Sequence, residues 1–459
     1  MKIPRLLIAG THSGVGKTTV TVGLLRLLRR AGRTVQPFKV GPDYIDPGYL
    51  SRAAGRPCRN LDGWLVPKGK IPVLFQRGCR GADAALIEGV MGLYDGIGPI
   101  GEEGSSAQMA KLLDCPVLLV IDAGAMSRSA AALVRGYAGF DRRVKITGCF
   151  VNRVAGRAHF ELVKEGIERL TGFPVIGYLP RDGRLSIPER HLGLIPTQED
   201  SSLGRIGERL DRRMREGLDL PALRRIMEAA GPILSLRAPK GPSSDGSRVP
   251  IAVAMDEAFH FYYRENLELL EEFGSEIVPF SPLRASRLPK RARALYLGGG
   301  FPEVFAAELA RNRRMHQEIR CAVASGMPTY AECGGLMILC RSIADTGGKR
   351  HPMVGLIPAD VRMTDRLQNF GYQEVKARGA NLLARAGEKA RGHEFHHSIL
   401  NGPPAAQQAA YQVRTRQGGE TRLEGYAKGS LLASYVHLHF WSQPRWAQQF
   451  VERARTWRS

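Results

Sequence analysis

The chain has 459 residues, 43% hydrophobic and 24% charged, with a formal net charge of +22. That length exceeds one ordinary core and points to two domains of roughly 200 residues each, while the composition excludes a disordered or fibrous chain. No apolar run approaches the roughly 18 residues that cross a bilayer, and the seven cysteines are scattered without a close CxxC pair, against a disulfide framework or a structural zinc site. Met1–Arg5 has no signal-peptide layout, so the cytoplasm is the expected compartment. The positive charge suits a polyanion or reflects the composition of the source. No zinc-finger spacing or aromatic-basic ribonucleoprotein motif accompanies it, so neither nucleic acid nor a membrane is expected as a partner.

In chain order, Arg5–Ala9, Val35–Val40, Ala84–Ile87, Pro116–Ile121, Lys145–Val151 and Val175–Leu179 read as strands. They are continuous apolar runs, as in a parallel sheet buried on both faces. Helix Thr18–Arg30 carries an apolar stripe at Leu24, Leu25, Leu27 and Leu28. Between the first strand and this helix, GTHSGVGKTT (Gly10–Thr19) reads as a phosphate loop. The strict GxxxxGK[ST] pattern fails by one position, because Thr11 stands where the first glycine belongs and the glycine is Gly10. The chemistry survives: successive N–H groups and a helix N-terminus attract phosphate, Lys17 would reach the terminal phosphates, and the Thr18 hydroxyl would coordinate magnesium. FKVGPDYIDP (Phe38–Pro47) and EGVMGLYDG (Glu88–Gly96) put charged groups at strand C-terminal ends, where open α/β sheets bind ligands.

Residues 201–230 are charged and helical, and Arg237–Arg248 is rich in proline, glycine and serine, as an exposed linker is. The expected division is therefore 1–200, a helical bridge 201–236, a linker 237–249, and a second domain 250–459. The second domain restarts the alternation with strand Ile251–Met255, helix Tyr263–Phe273, strands Ile277–Phe280 and Ala294–Leu297, and helix Glu303–Ser325. Pro328–Ala331 then runs into AECGG (Ala331–Gly335), a tight strand-to-helix elbow that presents Cys333. Gly334 and Gly335 let the backbone bend, and a helix N-terminus is expected to lower the thiol pKa. Gly299 and Gly300, after strand Ala294–Leu297, would join the Gly334 N–H as oxyanion donors. His437, at the end of an expected strand Leu432–Val436, is the candidate general base.

Thr11 followed by GVGKT resembles the dethiobiotin synthetase branch of P-loop proteins, which phosphorylate carboxylates. FKVGPDYIDPGYL, EGVMGLYDG, LPRDGRLSIPERHLGL and GHEFHHS resemble hallmark segments of the cobyrinic acid a,c-diamide synthase family, over nearly the whole length. The resemblance implies an α/β protein: an N-terminal P-loop NTPase domain, dethiobiotin synthetase-like with a mostly parallel sheet, plus a C-terminal class I glutaminase domain. It implies ATP at Thr11, Ser13, Gly14, Val15, Gly16, Lys17, Thr18, Thr19 and Asn152. It implies Mg2+ at Thr18, Asp43 and Glu88, and substrate or transferred phosphate at Lys39, Asp43, Tyr44, Ile45 and Asp95. Blander readings stand beside these: a Lys39–Glu88 salt bridge, a turn role for Asp95 and a capping role for Asn152.

Wider relatives of the glutaminase half carry a glutamate two positions after the histidine. Here His439 stands there, so a Cys333–His437 dyad is expected rather than a triad. His393, His396 and His397 are expected on a structural or interface strand, with a metal cluster as the weaker alternative. The implied activity is ATP- and glutamine-dependent amidation of the a and c acetates of cobyrinate, with ammonia passing between the domains and a homodimer left open. Close relatives use the same motifs on Ni-sirohydrochlorin, hydrogenobyrinate or sirohaem. The rival from another class is a regulatory or partitioning P-loop ATPase with a non-catalytic C-terminal domain; charge alone suggests a nucleic-acid-binding one.

Overall fold

The apolar runs of the first half become one seven-stranded sheet. In a computed structural model of the chain, β1 (Arg5–Gly10), β2 (Val35–Val40), β3 (Arg59–Leu61), β4 (Ala84–Gly92), β5 (Val117–Asp122), β6 (Ile146–Val154) and β7 (Val175–Pro180) lie in the order β3-β2-β4-β1-β5-β6-β7. Every pairing is parallel. Helices α1 (Lys17–Arg30), α2 (Asp46–Ala54), α3 (Ile71–Gly78), α4 (Ser106–Leu112), α5 (Ser129–Phe140) and α6 (Arg157–Thr171) make the connections. Leu6, Ile8, Leu86, Leu118 and Val120 are fully buried, which explains runs without polar alternation. Two short strands, β8 (Glu189–Arg190) and β9 (Gly193–Leu194), pair antiparallel. The described residues are 2–185, 189–190, 193–194, 203–233, 247–402, 405–416, 418–419 and 421–458. Most of the expected linker, and the centre of LPRDGRLSIPERHLGL, lie outside them.

The chain divides into two units, Met1–Ala238 and Pro239–Ser459. The charged stretch after residue 200 forms α7 (Leu203–Gly217) and α8 (Leu220–Glu228), both within the first unit. Asp211 is 1% exposed and pairs with Arg26 and Arg30 of α1, each at 2.7 Å. Met214 packs where a Cβ on Gly23 would come within 2.7 Å of its Cγ, so Gly23 lets the two helices close.

The second unit holds β10 (Val249–Ala254), α9 (Arg264–Glu272), β11 (Ser275–Phe280), β12 (Ala294–Leu297), α10 (Ala306–Arg311), α11 (Arg313–Ala324), β13 (Thr329–Glu332) and α12 (Gly334–Leu339). The expected helix Glu303–Ser325 is two helices. Asn312 leaves helical geometry (ψ 57°), accepts the Met315 N–H as a cap, and donates to the Pro282 and Ala285 carbonyls. Beyond the elbow come β14 (Cys340–Ala344), β15 (Arg350–Pro352), β16 (Ile357–Met363), β17 (Asn369–Ala377), β18 (Lys389–His396) and β19 (Ser398–Asn401). They are followed by β20 (Tyr411–Thr415), β21 (Thr421–Glu424), β22 (Tyr426–Lys428), β23 (Leu431–Ser434), β24 (His437–Leu438) and helix α13 (Pro444–Thr456).

The central sheet is ordered β11-β10-β12-β13-β23-β22, with smaller sheets β15-β14-β16-β19 and β21-β20-β17-β18-β24 beside it. The expected strand Leu432–Val436 therefore ends at Ser434. His437 opens a separate strand, β24, in register with His393 of β18.

Candidate active sites

In the first unit the phosphate loop leaves β1 at Gly10, where a Cβ would overlap Val15 Cγ1. Gly14 (φ 77°) and Gly16 (φ 97°) take left-handed conformations that suit glycine, and α1 then starts at Lys17. The loop borders a cavity of about 1050 Å³ at the carboxyl ends of the strands. Ser13, Gly14, Gly16, Lys17, Thr18 and Thr19 line it. Thr11 and Val15 are not among its lining residues: Val15 is fully buried, and the Thr11 carbonyl accepts the Tyr137 hydroxyl. Asn152 lines the cavity, but its Nδ2 donates to the Val15 carbonyl at 2.8 Å. A Cβ on Gly16 would overlap the same Asn152 nitrogen, so this side chain braces the loop. Arg153, at φ 60°, bonds Asp122 at 2.6 Å and the Gly14 carbonyl at 2.7 Å, tying the loop to β5.

Lys17 Nζ rests on the His12 carbonyl at 3.2 Å and the Met91 carbonyl at 2.5 Å. Burial, aided by the nearby Lys39 charge, pushes its pKa down to about 8. Beside it, Lys39 Nζ meets Asp46 Oδ2 at 2.5 Å, Glu88 Oε1 at 2.6 Å and Asp43 Oδ2 at 4.0 Å. Burial opposes the Lys39 charge, yet Asp46 and Glu88 hold its pKa well above the usual value. The Lys39–Glu88 salt bridge is thus present, and Lys39 also borders the cavity. Asp46, not singled out from sequence, is the closest partner of Lys39. Its only signal was the Asp-x-x-Asp spacing of PDYID.

Thr18 Oγ1 donates to Glu88 Oε1 at 2.8 Å, while Glu88 Oε2 is buried without a hydrogen-bond partner. Burial raises the Glu88 pKa, and burial with Asp46 pushes Asp43 up to about 7. Groups that are hard to ionise and one oxygen without a donor fit a divalent cation among oxygen ligands. Among the described residues no group of three or more His, Cys, Asp or Glu is arranged to hold a metal alone. Mg2+ is commonly held by one or two carboxylates plus phosphate oxygens, so this donor set still fits it. Tyr44, Ile45 and Asp95 are not among the lining residues, and Asp95 Oδ2 accepts the Gly92 N–H at 2.8 Å to close a turn.

In the second unit β13 delivers Cys333 at φ 46° and ψ −103°, a strained conformation typical of a nucleophile elbow. Its N–H donates to Ser434 O at 2.7 Å, extending the parallel register Glu332↔Ser434. Gly335 has to lack a side chain, since a Cβ there would overlap the Leu297 carbonyl. A Cβ on Gly334 would come within 3.1 Å of the Gly300 nitrogen, and one on Gly299 would overlap the Cε1 of His437. Three glycines of the expected oxyanion hole and the imidazole are therefore gathered around the elbow. The expected lowering of the thiol pKa is reversed: burial, then Glu303, pushes Cys333 up, and the Gly334 N–H only partly opposes this. Burial, with His393 and His396 nearby, holds His437 down at about 3. Both groups are neutral here, which suits a base that takes the thiol proton as attack occurs.

His439 is turned away from that role: its Nδ1 accepts the Trp441 N–H at 3.3 Å and its ring packs 4.7 Å from Tyr263. His393 and His396 lie on β18, and His396 bonds Glu394 at 2.9 Å and the Ser398 carbonyl at 2.8 Å. The histidines of GHEFHHS form no metal cluster among the described residues. No helix among the described residues is long and apolar enough to cross a membrane.

Residues 6–195 match the model of the CobQ/CobB/MinD/ParA nucleotide binding domain, and residues 250–445 that of the CobB/CobQ-like glutamine amidotransferase domain. Similar curated proteins include the cobyrinate a,c-diamide synthase of Methanothermobacter thermautotrophicus, 44% identical over 98% of this chain and 99% of the relative. Those of Priestia megaterium (42%; 98% of this chain, 97% of the relative) and Caldanaerobacter subterraneus subsp. tengcongensis (44%; 97% of each) are alike.

Proposed function

The chain belongs to the cobyrinate a,c-diamide synthase family, and from that premise we propose that it amidates the a and c acetate carboxylates of cobyrinate with ATP and glutamine. It is a carbon–nitrogen ligase with glutamine as nitrogen donor. The observation that carries the reading is one chain holding both a phosphate-loop cavity lined by Asp43 and Glu88 and a strained cysteine elbow whose neighbouring glycine loop packs against His437.

In the second unit the Cys333 sulfur attacks the glutamine side-chain carbonyl, passing its proton to His437, while the N–H groups of Gly300 and Gly334 steady the oxyanion. The C–N bond breaks, ammonia leaves with the returned proton, and water hydrolyses the thioester to glutamate. In the first unit a substrate carboxylate oxygen attacks the terminal phosphorus of ATP and ADP departs. Ammonia then attacks the acyl carbon, and phosphate leaves as the amide forms. Activation is needed because a free carboxylate is a poor electrophile. Lys17 and the loop N–H groups bind the phosphates, and Lys39 orients the transferred phosphoryl or the carboxylate. Thr18, Glu88 and Asp43 would hold Mg2+, which neutralises phosphate charge when bound.

The test is incubation of the protein with cobyrinate, glutamine, ATP and Mg2+, followed by mass spectrometry. Two successive acid-to-amide mass shifts, dependent on ATP, are expected. Unchanged cobyrinate alongside turnover of another carboxylated tetrapyrrole would replace the substrate and keep the chemistry.

A further inference from the structure

We propose that Glu332, the residue directly before the nucleophile, is the positioning residue for His437 and supplies the carboxylate that position 439 lacks. The inference rests on the glutaminase reading of the second unit. Glu332 ends β13 and is 2% exposed, with its Oε2 3.9 Å from His437 Nδ1. Its Oε1 accepts the N–H of Leu438, the next residue after the histidine, at 2.9 Å. One carboxylate therefore holds the main chain at His437 and faces the δ side of its ring. Two hydroxyls fix the carboxylate: Tyr330 donates to Oε1 at 2.5 Å and Tyr296 to Oε2 at 2.9 Å.

Burial pushes Glu332 up to about 7, against the hydrogen bonds from Tyr330, the Leu438 N–H and Tyr296. Its ionised form on the δ side favours the tautomer with its proton on Nδ1, which leaves Nε2 as the base. A separation of 3.9 Å is longer than a hydrogen bond, as catalytic contacts often are in substrate-free enzymes. Other buried acids nearby are committed elsewhere. Glu394 binds Arg422, His396 and Asn369, and Glu424 accepts Ser434 Oγ and the Tyr435 N–H. Topology explains why sequence spacing hides Glu332: it precedes His437 by 105 positions, and β13 and β23 pair in parallel before the chain reaches β24.

The experiment measures glutamine hydrolysis by the full chain. Glu332→Gln keeps the side-chain length and one oxygen acceptor, and should lower kcat at least about 30-fold, short of the ~10⁴-fold seen for a fully hydrogen-bonded triad acid, with KM little changed. Tyr296→Phe, which removes a hydroxyl from the same carboxylate but leaves the carboxylate, should cost far less. Histidine ¹⁵N spectra of the wild type should show His437 protonated on Nδ1. Retained kcat in Glu332→Gln, an equal loss in Tyr296→Phe, or a wild-type Nε2–H tautomer each overturns the proposal, and the last applies even if the glutamine variant fails to fold. Wild-type protein that hydrolyses no more glutamine than Cys333→Ala would instead defeat the glutaminase reading itself.

Discussion

Lys17 sits between two carbonyls with its pKa pushed down to about 8, chiefly by burial. It is a cation below that pH and increasingly neutral above it. A triphosphate beside the ammonium would stabilise the charged form and raise the pKa again. Nucleotide binding at pH 8.5 should therefore take up about 0.75 proton per site, by simple titration from a pKa near 8. Asp43, at about 7, is already ionised at that pH and does not obscure the balance. Calorimetry of ATP·Mg2+ binding in buffers of different ionisation enthalpy reads this number directly. Lys17→Arg should abolish the uptake, because guanidinium stays charged; no uptake in the wild type would overturn the coupling of Lys17 protonation to nucleotide binding. At this scale the loop was legible because backbone N–H groups, lysine and threonine act at fixed spacing. Asp46 was not, because its place beside Lys39 depends on how the first turn of α2 meets the end of β2, a tertiary distance that spacing does not encode.

In the proposed function the elbow between β13 and α12 is the element on which the second unit's chemistry turns. Gly335 packs its backbone against the carbonyl of Leu297 on β12, with no room for a methyl group. Gly335→Ala should force α12 away from β12 and cost at least about 2 kcal/mol, toward the upper end of overpacking penalties because the neighbour is backbone rather than a movable side chain. Urea unfolding followed by a probe in the second unit measures this. Glutamine hydrolysis should fall with it, since Cys333 is the residue before this helix. A variant of wild-type stability would mean that the elbow has more slack than its packing implies.

The core strands of both units were legible because β1, β5, β10 and β12 are buried on both faces and read as apolar runs. Strands β14 to β22 were mostly missed. β17, for example, buries only alternate residues from Gly371 to Ala377, and polar side chains fill the intervening positions. Asn312 hid its helix break for a related reason. Its cap depends on the Pro282 and Ala285 carbonyls, about thirty residues upstream, while the local sequence continues to favour helix.

At the scale of the whole chain, the proposed function divides one reaction between the two units. Under the proposed function, ammonia release would draw on the thiol, the imidazole and the oxyanion donors of the second unit, and carboxylate activation on the first unit's phosphate loop and its acidic neighbours. Loss of either should leave the other partial reaction measurable. Cys333→Ala should abolish glutamine-dependent amidation yet retain amidation from added ammonium at high pH, where free ammonia is plentiful. Lys17→Ala should lose amidation from both nitrogen sources, by about 100-fold or more given the share of phosphoryl transfer that electrostatic stabilisation supplies, while still hydrolysing some glutamine. Two parallel assays on each variant, glutamate formed and amide formed, separate the outcomes. If Cys333→Ala failed with ammonium as well, the cysteine elbow would be needed for the synthase step itself, and the division of labour between Cys333 and Lys17 would fall. If Lys17→Ala abolished glutamine hydrolysis too, ammonia release would be gated by nucleotide, and the two centres would have to be treated as one cooperative machine.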